Sequence, residues 1–166
     1  MSGLSLLLSV GKQRYAVPCL RVKEVIPDVD LEPEPRAPPW LAGLFNYRGA
    51  ITPVIDLCQL VSDLPCADRL SSRIVVFDHT GADGRTRSAG LLAERVTETR
   101  VLKLHHRTST HRDDQSCFRD VFLDETGMIH GIDLDRVVQS TLARHADIGL
   151  SGADDHHAAR EHREPA

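Results

Sequence analysis

The chain has 166 residues, with 20 Lys and Arg against 24 Asp and Glu, which gives a formal net charge of −4. This length suits one ordinary domain, or two small barrels that share a core, better than two independent domains. Basic residues form no stripe, and one Trp, two Tyr and four Phe are too few for stacking platforms. We therefore expect no nucleic-acid-binding surface.

The amino-terminal segment predicts a hairpin. Residues 4–10 alternate apolar and small polar side chains, which is the two-residue period of a strand. This run is too short to span a bilayer and has no basic region ahead of it, so we expect neither membrane insertion nor export. Residues 11–13 then provide a tight turn into a second strand over residues 14–19.

The next segment is rich in proline. Between residues 20 and 26, apolar positions surround the charged pair Lys23 and Glu24, and this pattern leaves a helical turn and a strand equally open. The prolines of residues 27–39 disfavour regular structure and favour an ordered loop. A short helical turn is predicted near residues 39–43, because Pro39 suits a first helical position.

A sharp chain reversal is predicted around Asn46 and Gly49. Glycine adopts positive φ at no steric cost and asparagine tolerates it, so residues 44–45 can fold back on residues 51–57. The latter segment has the period of a half-buried strand. Pro53 has no N–H for a ladder, which predicts an edge strand or a bulge.

The second half of the chain predicts two more hairpins and a helix. We expect residues 57–60 to close the central strand and residues 61–72 to be irregular. Turn residues at 81–84 and 124–127 separate apolar runs, and a capped amphipathic pattern follows them. The predicted elements are strands at 73–78, 88–93, 96–104, 116–123 and 128–132, and a helix from Asp133 or Asp135 to Leu142.

Two polar segments lack apolar residues to bury. Residues 105–116 predict a mobile loop, and residues 143–166 predict a disordered tail. Three hairpins with a single late helix indicate a mostly β fold. The pattern lacks the alternation of strands and helices that is typical of a parallel sheet.

No catalytic or metal-binding motif is apparent. The four cysteines are scattered without a Cys-x-x-Cys pair, so we expect reduced thiols: Cys19, Cys58, Cys66 and Cys117. Histidines cluster at 105–106 with 111 and at 156–157 with 162, but no apolar shell surrounds them. The chain contains no nucleophile elbow, phosphate-binding loop or dinucleotide fingerprint, so we expect no cofactor, no metal and no enzyme activity.

Glu24 and Arg48 are charged residues among apolar neighbours, where an unpaired ion is costly to desolvate. One hypothesis is a mutual, buried ion pair, in which removal of either partner costs about 3 to 5 kcal/mol. In the alternative, both residues are exposed charges at the rim of the fold. The residues alone leave the choice open.

The segment from Gly43 to Leu57 resembles a known signature. It reads Gly-Leu-Phe-Asn-Tyr-Arg-Gly over residues 43–49 and Ile-Thr-Pro-Val-Ile-Asp-Leu over residues 51–57. This pattern resembles the CheW-like coupling proteins of bacterial chemosensory systems. Further matching runs occur in the family's order, so the resemblance covers roughly residues 4–142: 15–18, 22–27, 35–41, 73–77, 90–96 and 127–134.

The resemblance implies a fold and a domain division. It implies two small five-stranded β-barrels on a common core, with a CheW-like domain over residues 1–142 and a tail over residues 143–166. The family has an arginine at the position of Arg48 and often a glutamate at that of Glu24, near the surface used by partners. On this basis six residues are predicted to be partner-binding or structural: Val22, Glu24, Asn46, Arg48, Gly49 and Asp56.

The resemblance also implies a function. It predicts a cytoplasmic, non-catalytic adaptor that joins the cytoplasmic tip of a methyl-accepting receptor to the regulatory domain of a CheA-type histidine kinase. Tyr47, Cys58 and the run 91–95 look closer to accessory subunits of surface-sensing (Wsp-type) arrays than to the flagellar coupling protein. The alternative is a β-barrel enzyme that binds a small molecule or a metal.

Overall fold

The computed structural model describes residues 2–107 and 116–143. This part of the chain contains ten strands, two α-helices and a 3-10 turn at Cys19–Arg21. The strands are β1 (Ser2–Val10), β2 (Gln13–Pro18), β3 (Val22–Pro27), β4 (Leu41–Tyr47), β5 (Ala50–Asp56), β6 (Arg73–Thr80), β7 (Thr86–Ala93), β8 (Arg95–Arg107), β9 (Phe118–Asp124) and β10 (Gly127–Ile132). The helices are α1 (Leu57–Ser62) and α2 (Leu134–Ser140).

Five strands from the two ends of the described chain form a closed barrel in the order β1-β2-β10-β9-β8. The hairpins β1–β2 and β9–β10 are antiparallel, and β10 joins β2 in parallel. The ladder between β1 and β8 runs from Ser2 to Ser9 and closes the barrel. Backbone hydrogen bonds therefore encircle this half of the molecule completely.

The middle of the chain forms a second five-stranded sheet in the order β3-β6-β7-β5-β4. The β6–β7 and β4–β5 pairs are antiparallel, and β5 runs parallel to β7. Among the described residues no ladder joins β3 to β4, so the sheet stays open along a seam between these two edge strands.

The proline-rich segment partly fills this seam. Glu32 and Leu44 exchange two backbone hydrogen bonds, at 2.8 and 2.9 Å, which gives β4 an isolated partner on its free edge. The approach is close at Gly43, where an added Cβ would lie 2.7 Å from the Leu31 Cβ and 2.8 Å from the Glu32 carbonyl oxygen. Gly43 is therefore required by packing.

A shared core holds the two halves together. Alternate residues of β1 and β2 meet apolar residues of β5, β6, β7 and α2, all of them buried. The barrel also has a small interior cluster, and the open sheet has another on its second face. Each half therefore packs one face of its strands against the other half, which burial of apolar area strongly favours.

Both helices begin at an aspartate. The Asp56 carboxylate accepts from the Gln59 N–H at 3.1 Å, and the Asp133 carboxylate accepts from the Asp135 and Arg136 N–H groups at 3.1 and 3.2 Å. Such N-caps satisfy backbone donors that the first helical turn leaves without partners.

The structure confirms the mostly β fold with two five-stranded units, the three hairpins and the carboxy-terminal helix. Residues 20–26, for which the sequence allowed either a helical turn or a strand, lie in the 3-10 turn and strand β3. The second unit is an open sheet whose edges β3 and β4 are joined by side chains, and the isolated bridge links β4 to Glu32 of the proline-rich segment.

Three local predictions are wrong. Residues 39–43 do not form a helical turn, because the chain makes one turn from Pro38 to Leu41 and then enters β4. Residues 57–60 belong to α1 instead of the central strand, since the Asp56 side chain caps a helix there. Pro53 lies on an interior strand, but the β5–β7 ladder begins only at Val54, so proline costs no hydrogen bond.

The predicted loop over residues 105–116 and the predicted tail lie largely outside the described residues. Within the described part, residues 105–107 continue strand β8, so the polar loop does not begin where the sequence suggested. The histidine clusters also lie outside it, apart from residues 105 and 106.

Candidate functional site

The turn between β4 and β5 is a two-residue hairpin formed by Arg48 and Gly49. Tyr47 pairs with Ala50, and both turn residues have positive φ, 53° and 89°. This is the type I′ geometry, whose twist matches that of the flanking strands. The Asn46 side-chain oxygen accepts from the Gly49 N–H at 2.8 Å and fixes the turn.

Arg48 lies at the tip of this hairpin and reaches across the seam to β3. Its Nη2 donates to the Glu24 Oε2 at 2.9 Å, and its Cζ lies 5.2 Å from the centre of the Tyr47 ring. The side chains remain 68% exposed for Arg48 and 38% for Glu24. The guanidinium is therefore held in place yet open to a partner.

Tyr47 anchors the other side of the same carboxylate. Its ring is buried against the open sheet's own cluster, and its hydroxyl donates to the Glu24 Oε2 at 2.6 Å. The hydrogen bond to Glu24 raises the pKa of Tyr47, because ionisation would place two anions side by side. Glu24 thus accepts from two residues of β4 and its turn, and these contacts join the two edges of the sheet.

A second cation lies beside this group. The Lys23 Nζ is 5.7 Å from the Tyr47 ring centre and binds the Asp78 carboxylate of β6 at 3.1 Å. The Lys23 ammonium and the Arg48 guanidinium both form cation–π contacts with the Tyr47 ring, and such contacts contribute modest binding energy at exposed positions. We call Lys23, Glu24, Tyr47 and Arg48 the seam cluster.

The structure brings together four of the six predicted site residues: Glu24, Asn46, Arg48 and Gly49. Val22 lies two residues before Glu24, pairs with Phe77 and packs against the shared core. Asp56 lies at the far end of β5, about 20 Å from the turn at the usual rise of a strand. It is buried and structural: it caps α1 and accepts from the Cys66 N–H at 3.0 Å.

The hypothesis that Glu24 and Arg48 contact each other agrees with the structure, but the expectation that the pair is buried is wrong. With both side chains more than a third exposed, water screens the interaction, and a cost of several kcal/mol does not apply. Sequence reasoning also left Tyr47 out of the site. The role of Tyr47 is visible only in the tertiary structure, because its hydrogen-bond partner, Glu24 of β3, is 23 residues away in sequence.

The expectation of four reduced cysteines is wrong for two of them. Cys58 of α1 and Cys66 form a disulfide with a Cα–Cα distance of 5.0 Å, whereas Cys19 and Cys117 are free. Helix α1 turns the chain back within eight residues, which a reading of cysteine spacing alone does not reveal. Asp56, Cys58 and Cys66 also form a candidate metal trio, but the two sulfurs are bonded to each other.

Helices α1 and α2, the two in the described part of the chain, are both too short to cross a membrane.

Comparison with known proteins gives a consistent result. A family model described as "CheW-like domain" matches residues 5–142. The chain is 27% identical over 137 residues to the "Chemotaxis protein CheW" of Rhizobium meliloti (strain 1021), which covers 79% of this chain and 84% of that protein. It is 27% identical over 94 residues to the "Chemotaxis protein CheW" of Helicobacter pylori, covering 57% of this chain and 54% of that protein.

A solved structure shares the fold. The scaffolding protein TtCheW from Thermoanaerobacter tengcongensis superposes with a TM-score of 0.68 at 24% identity, covering 81% of this chain and 86% of that one. The family match spans most of the chain and agrees with the two five-stranded units described above. The chain therefore belongs to the CheW-like domain family.

Proposed function

We propose that this protein couples the cytoplasmic tip of a methyl-accepting chemoreceptor to the regulatory domain of a CheA-type histidine kinase. Its family is one of non-catalytic chemotaxis adaptors, so the protein is an adaptor and the alternative of a β-barrel enzyme is dropped. Relatives named as chemotaxis proteins and a solved scaffolding protein of the same fold support this role. Because the proposed partner is the cytoplasmic tip of a receptor, the proposal includes a cytoplasmic location for this protein.

The observation that carries the proposal is the exposure of Arg48. A guanidinium that is 68% exposed contributes little to stability, yet its backbone is held in a left-handed turn by Gly49 and Asn46. Residues that are positioned but left open to solvent suit contact with another protein. Arginine is enriched among the residues that dominate binding energy at interfaces, because its planar fork binds carboxylates bidentately.

The contacts of Glu24 make the guanidinium available at a fixed position. Only one nitrogen of Arg48 is within hydrogen-bond distance of Glu24, and Tyr47 occupies the same oxygen. The remaining donors of the fork make no hydrogen bond to Glu24 and suit an acidic or carbonyl-rich partner surface. Ile51, which follows the turn and is exposed, adds apolar area close to it in sequence.

Binding measurements with purified components test the proposal. We expect Arg48→Ala to weaken at least one of the two complexes about 30-fold, which corresponds to about 2 kcal/mol, as for other interfacial arginines. The kinase regulatory domain and a receptor fragment are titrated separately, so that the affected partner is identified. Arg48→Lys should recover only part of the affinity, because an ammonium lacks the fork.

A matched control is Arg87→Ala. Arg87 is also an arginine of the open sheet near a hairpin, and it is bound to Asp83. This variant should bind both partners normally. Binding of neither partner by the wild-type chain contradicts the adaptor proposal, whereas normal binding by Arg48→Ala rejects only the assignment of this surface.

The resemblance to surface-sensing subunits stays a prediction. Tyr47 and Cys58, two of the features behind it, have local structural roles here, since Tyr47 anchors Glu24 and Cys58 is bonded to Cys66. Identification of the receptor that the protein captures from its own lysate tests the subclass.

A further inference from the structure

The segment that follows α1 is tied down by a covalent bond. Residues 63–72, all described, form no helix or strand, and Leu64 and Leu70 within it are 66% and 99% exposed. The disulfide between Cys58 and Cys66 holds this segment against the helix. Cys58 is buried at 2% exposure and Cys66 is only partly buried, so Cys66 is the more exposed of the two bonded residues.

Two carboxylates hold the same segment by hydrogen bonds. Asp56 accepts from the Cys66 N–H at 3.0 Å, and Glu94 accepts from the Ala67 N–H at 3.3 Å. The other oxygen of Glu94 accepts from the Gly11 N–H in the turn of the barrel's first hairpin, at 3.2 Å. Glu94 therefore links the segment to the opposite half of the molecule, and the position of the segment affects the junction between the two halves.

The remainder of the fold does not depend on the disulfide. The Asp56 cap of helix α1 involves neither sulfur, and the shared core is built mainly from strands. A free Cys66 thiol has an acceptor at hand, because its Sγ lies 3.6 Å from the Leu92 carbonyl oxygen. A free Cys58 thiol behaves as a small buried hydrophobe. Both the bonded and the reduced states are thus compatible with the same core.

We propose that Cys58 and Cys66 form a reversible thiol–disulfide site that clasps residues 63–72 when oxidised and releases them when reduced. The reductant is a low-molecular-weight thiol or a protein dithiol, and the oxidant is a disulfide such as that of glutathione. This inference does not rest on the proposed coupling function, because it concerns only groups within this chain.

Reduction proceeds by two successive thiol–disulfide exchanges. A thiolate attacks the Sγ of Cys66, the more exposed residue of the pair, so that a mixed disulfide forms and Cys58 leaves as a thiolate. A second thiolate attacks the external sulfur of that mixed disulfide, releases Cys66 as a thiolate and forms the external disulfide. Two electrons pass from the two external thiols to the protein, and Cys58 and Cys66 each take up a proton.

Reduction of the folded, full-length chain tests the site. Mass spectrometry after alkylation in denaturant should count two free thiols in the oxidised protein and all four after native treatment with dithiothreitol. Hydrogen exchange should then speed up by at least about tenfold at the Cys66 and Ala67 amides. The amides of Ile74, Val75 and Val76 in β6 should be unaffected. Addition of oxidised glutathione should restore both the thiol count and the protection.

Two variants serve as controls. A Cys19→Ser, Cys117→Ser double variant should respond to reduction like the wild type, and Cys58→Ser should exchange like the reduced protein in either buffer. If Cys58→Ser does not fold, the reduced wild type supplies the same comparison. Three results overturn the proposal: reduction that requires denaturant, unchanged exchange at both amides after reduction, or stoichiometric zinc retention by the reduced chain, which instead makes Asp56, Cys58 and Cys66 a metal site.

Discussion

The two halves of this protein close their sheets by different means. The barrel closes through a backbone ladder between β1 and β8, whereas the open sheet joins its edges β3 and β4 through the side chains of Glu24, Tyr47 and Arg48. The isolated backbone bridge at this seam links β4 to Glu32 of the proline-rich segment. Backbone closure joins β1 to β8 without requiring side-chain contacts between them. Side-chain closure gives Glu24 and Tyr47 a structural role on the same surface where Arg48 is exposed. The open sheet therefore combines stability and recognition in one place.

The ion pairs of the two halves differ in burial. In the barrel, Arg14 donates to both oxygens of Asp124, at 2.7 and 2.5 Å, and the side chains are 22% and 11% exposed. Arg100 and Thr126 supply further donors to the same carboxylate. The pair of Glu24 and Arg48 has one hydrogen bond, and its side chains are more exposed, at 38% and 68%. A carboxylate that is only 11% exposed and accepts from several donors stabilises a fold, whereas an exposed pair mainly sets geometry.

The largest loss of stability should come from Gly43→Ala at the seam of the open sheet. The new Cβ would collide with backbone and Cβ atoms of residues 31–32, and φ of 152° is unfavourable for a side chain. We expect a loss of about 3 kcal/mol in the free energy of unfolding, measured by urea denaturation. Gly3→Ala in the barrel, where nothing lies within 4 Å, should change it by less than about 0.5 kcal/mol. Equal effects of the two variants would contradict the tight approach at the seam.

The next effect should come from Gly49→Val. There is free space around Gly49, so the cost arises only from a β-branched residue at φ of 89°. A loss of about 2 kcal/mol in the free energy of unfolding is expected. Gly49→Asn is the control, because asparagine tolerates positive φ and should lose less than about 1 kcal/mol. A melting curve of Gly49→Val that coincides with the wild type would reject the turn geometry.

A smaller effect, dependent on pH, is expected for Asp124→Asn in the barrel. Hydrogen bonds from Arg14 hold the pKa of the Asp124 carboxyl well below its usual range. A depressed pKa contributes stability above the unfolded pKa, and this stability is lost as the pH falls from about 4 towards the folded value. The variant should be less stable by about 1 to 2 kcal/mol at pH 7.

The difference between Asp124→Asn and the wild type should shrink when denaturation is repeated near pH 3 and below. Glu24→Gln, tested in parallel at pH 7, should lose less stability than Asp124→Asn because Glu24 is more exposed. A deficit of Asp124→Asn that stays constant down to pH 2 would show that the carboxylate charge is not the cause.

The smallest effect should be the coupling between Glu24 and Arg48. A double-mutant cycle of Glu24→Gln and Arg48→Ala, measured by denaturant unfolding, should give a coupling energy below about 1 kcal/mol. The same cycle measured by partner binding should show a larger effect of Arg48→Ala. A coupling of 3 kcal/mol or more in stability would restore the buried pair that the sequence suggested, and strict additivity would mean that the two side chains do not interact.

The sequence predicted the fold class because its hairpins are local. Apolar alternation in β1, turn residues at 81–84 and 124–127, and the capped pattern of α2 each depend on neighbours within about ten residues. The Asn46 to Gly49 turn is equally local, and its signature also carried the resemblance to the family. The errors at residues 39–43 and 57–60 occurred where a short helix and a short strand have the same apolar pattern. At residues 57–60 the Asp56 cap decided in favour of a helix.

The sequence by itself determined most of the strand pattern, the hairpin turns, the final helix and the identity of the residues in the turn from Asn46 to Gly49. Tertiary structure alone decided that one sheet closes and the other stays open, since ladders such as β1–β8 join segments about 90 residues apart. It also decided that Glu24 accepts hydrogen bonds from the buried Tyr47 and the exposed Arg48, and that Cys58 meets Cys66. These contacts depend on where the chain returns to itself, and local residue patterns do not determine which distant segments meet.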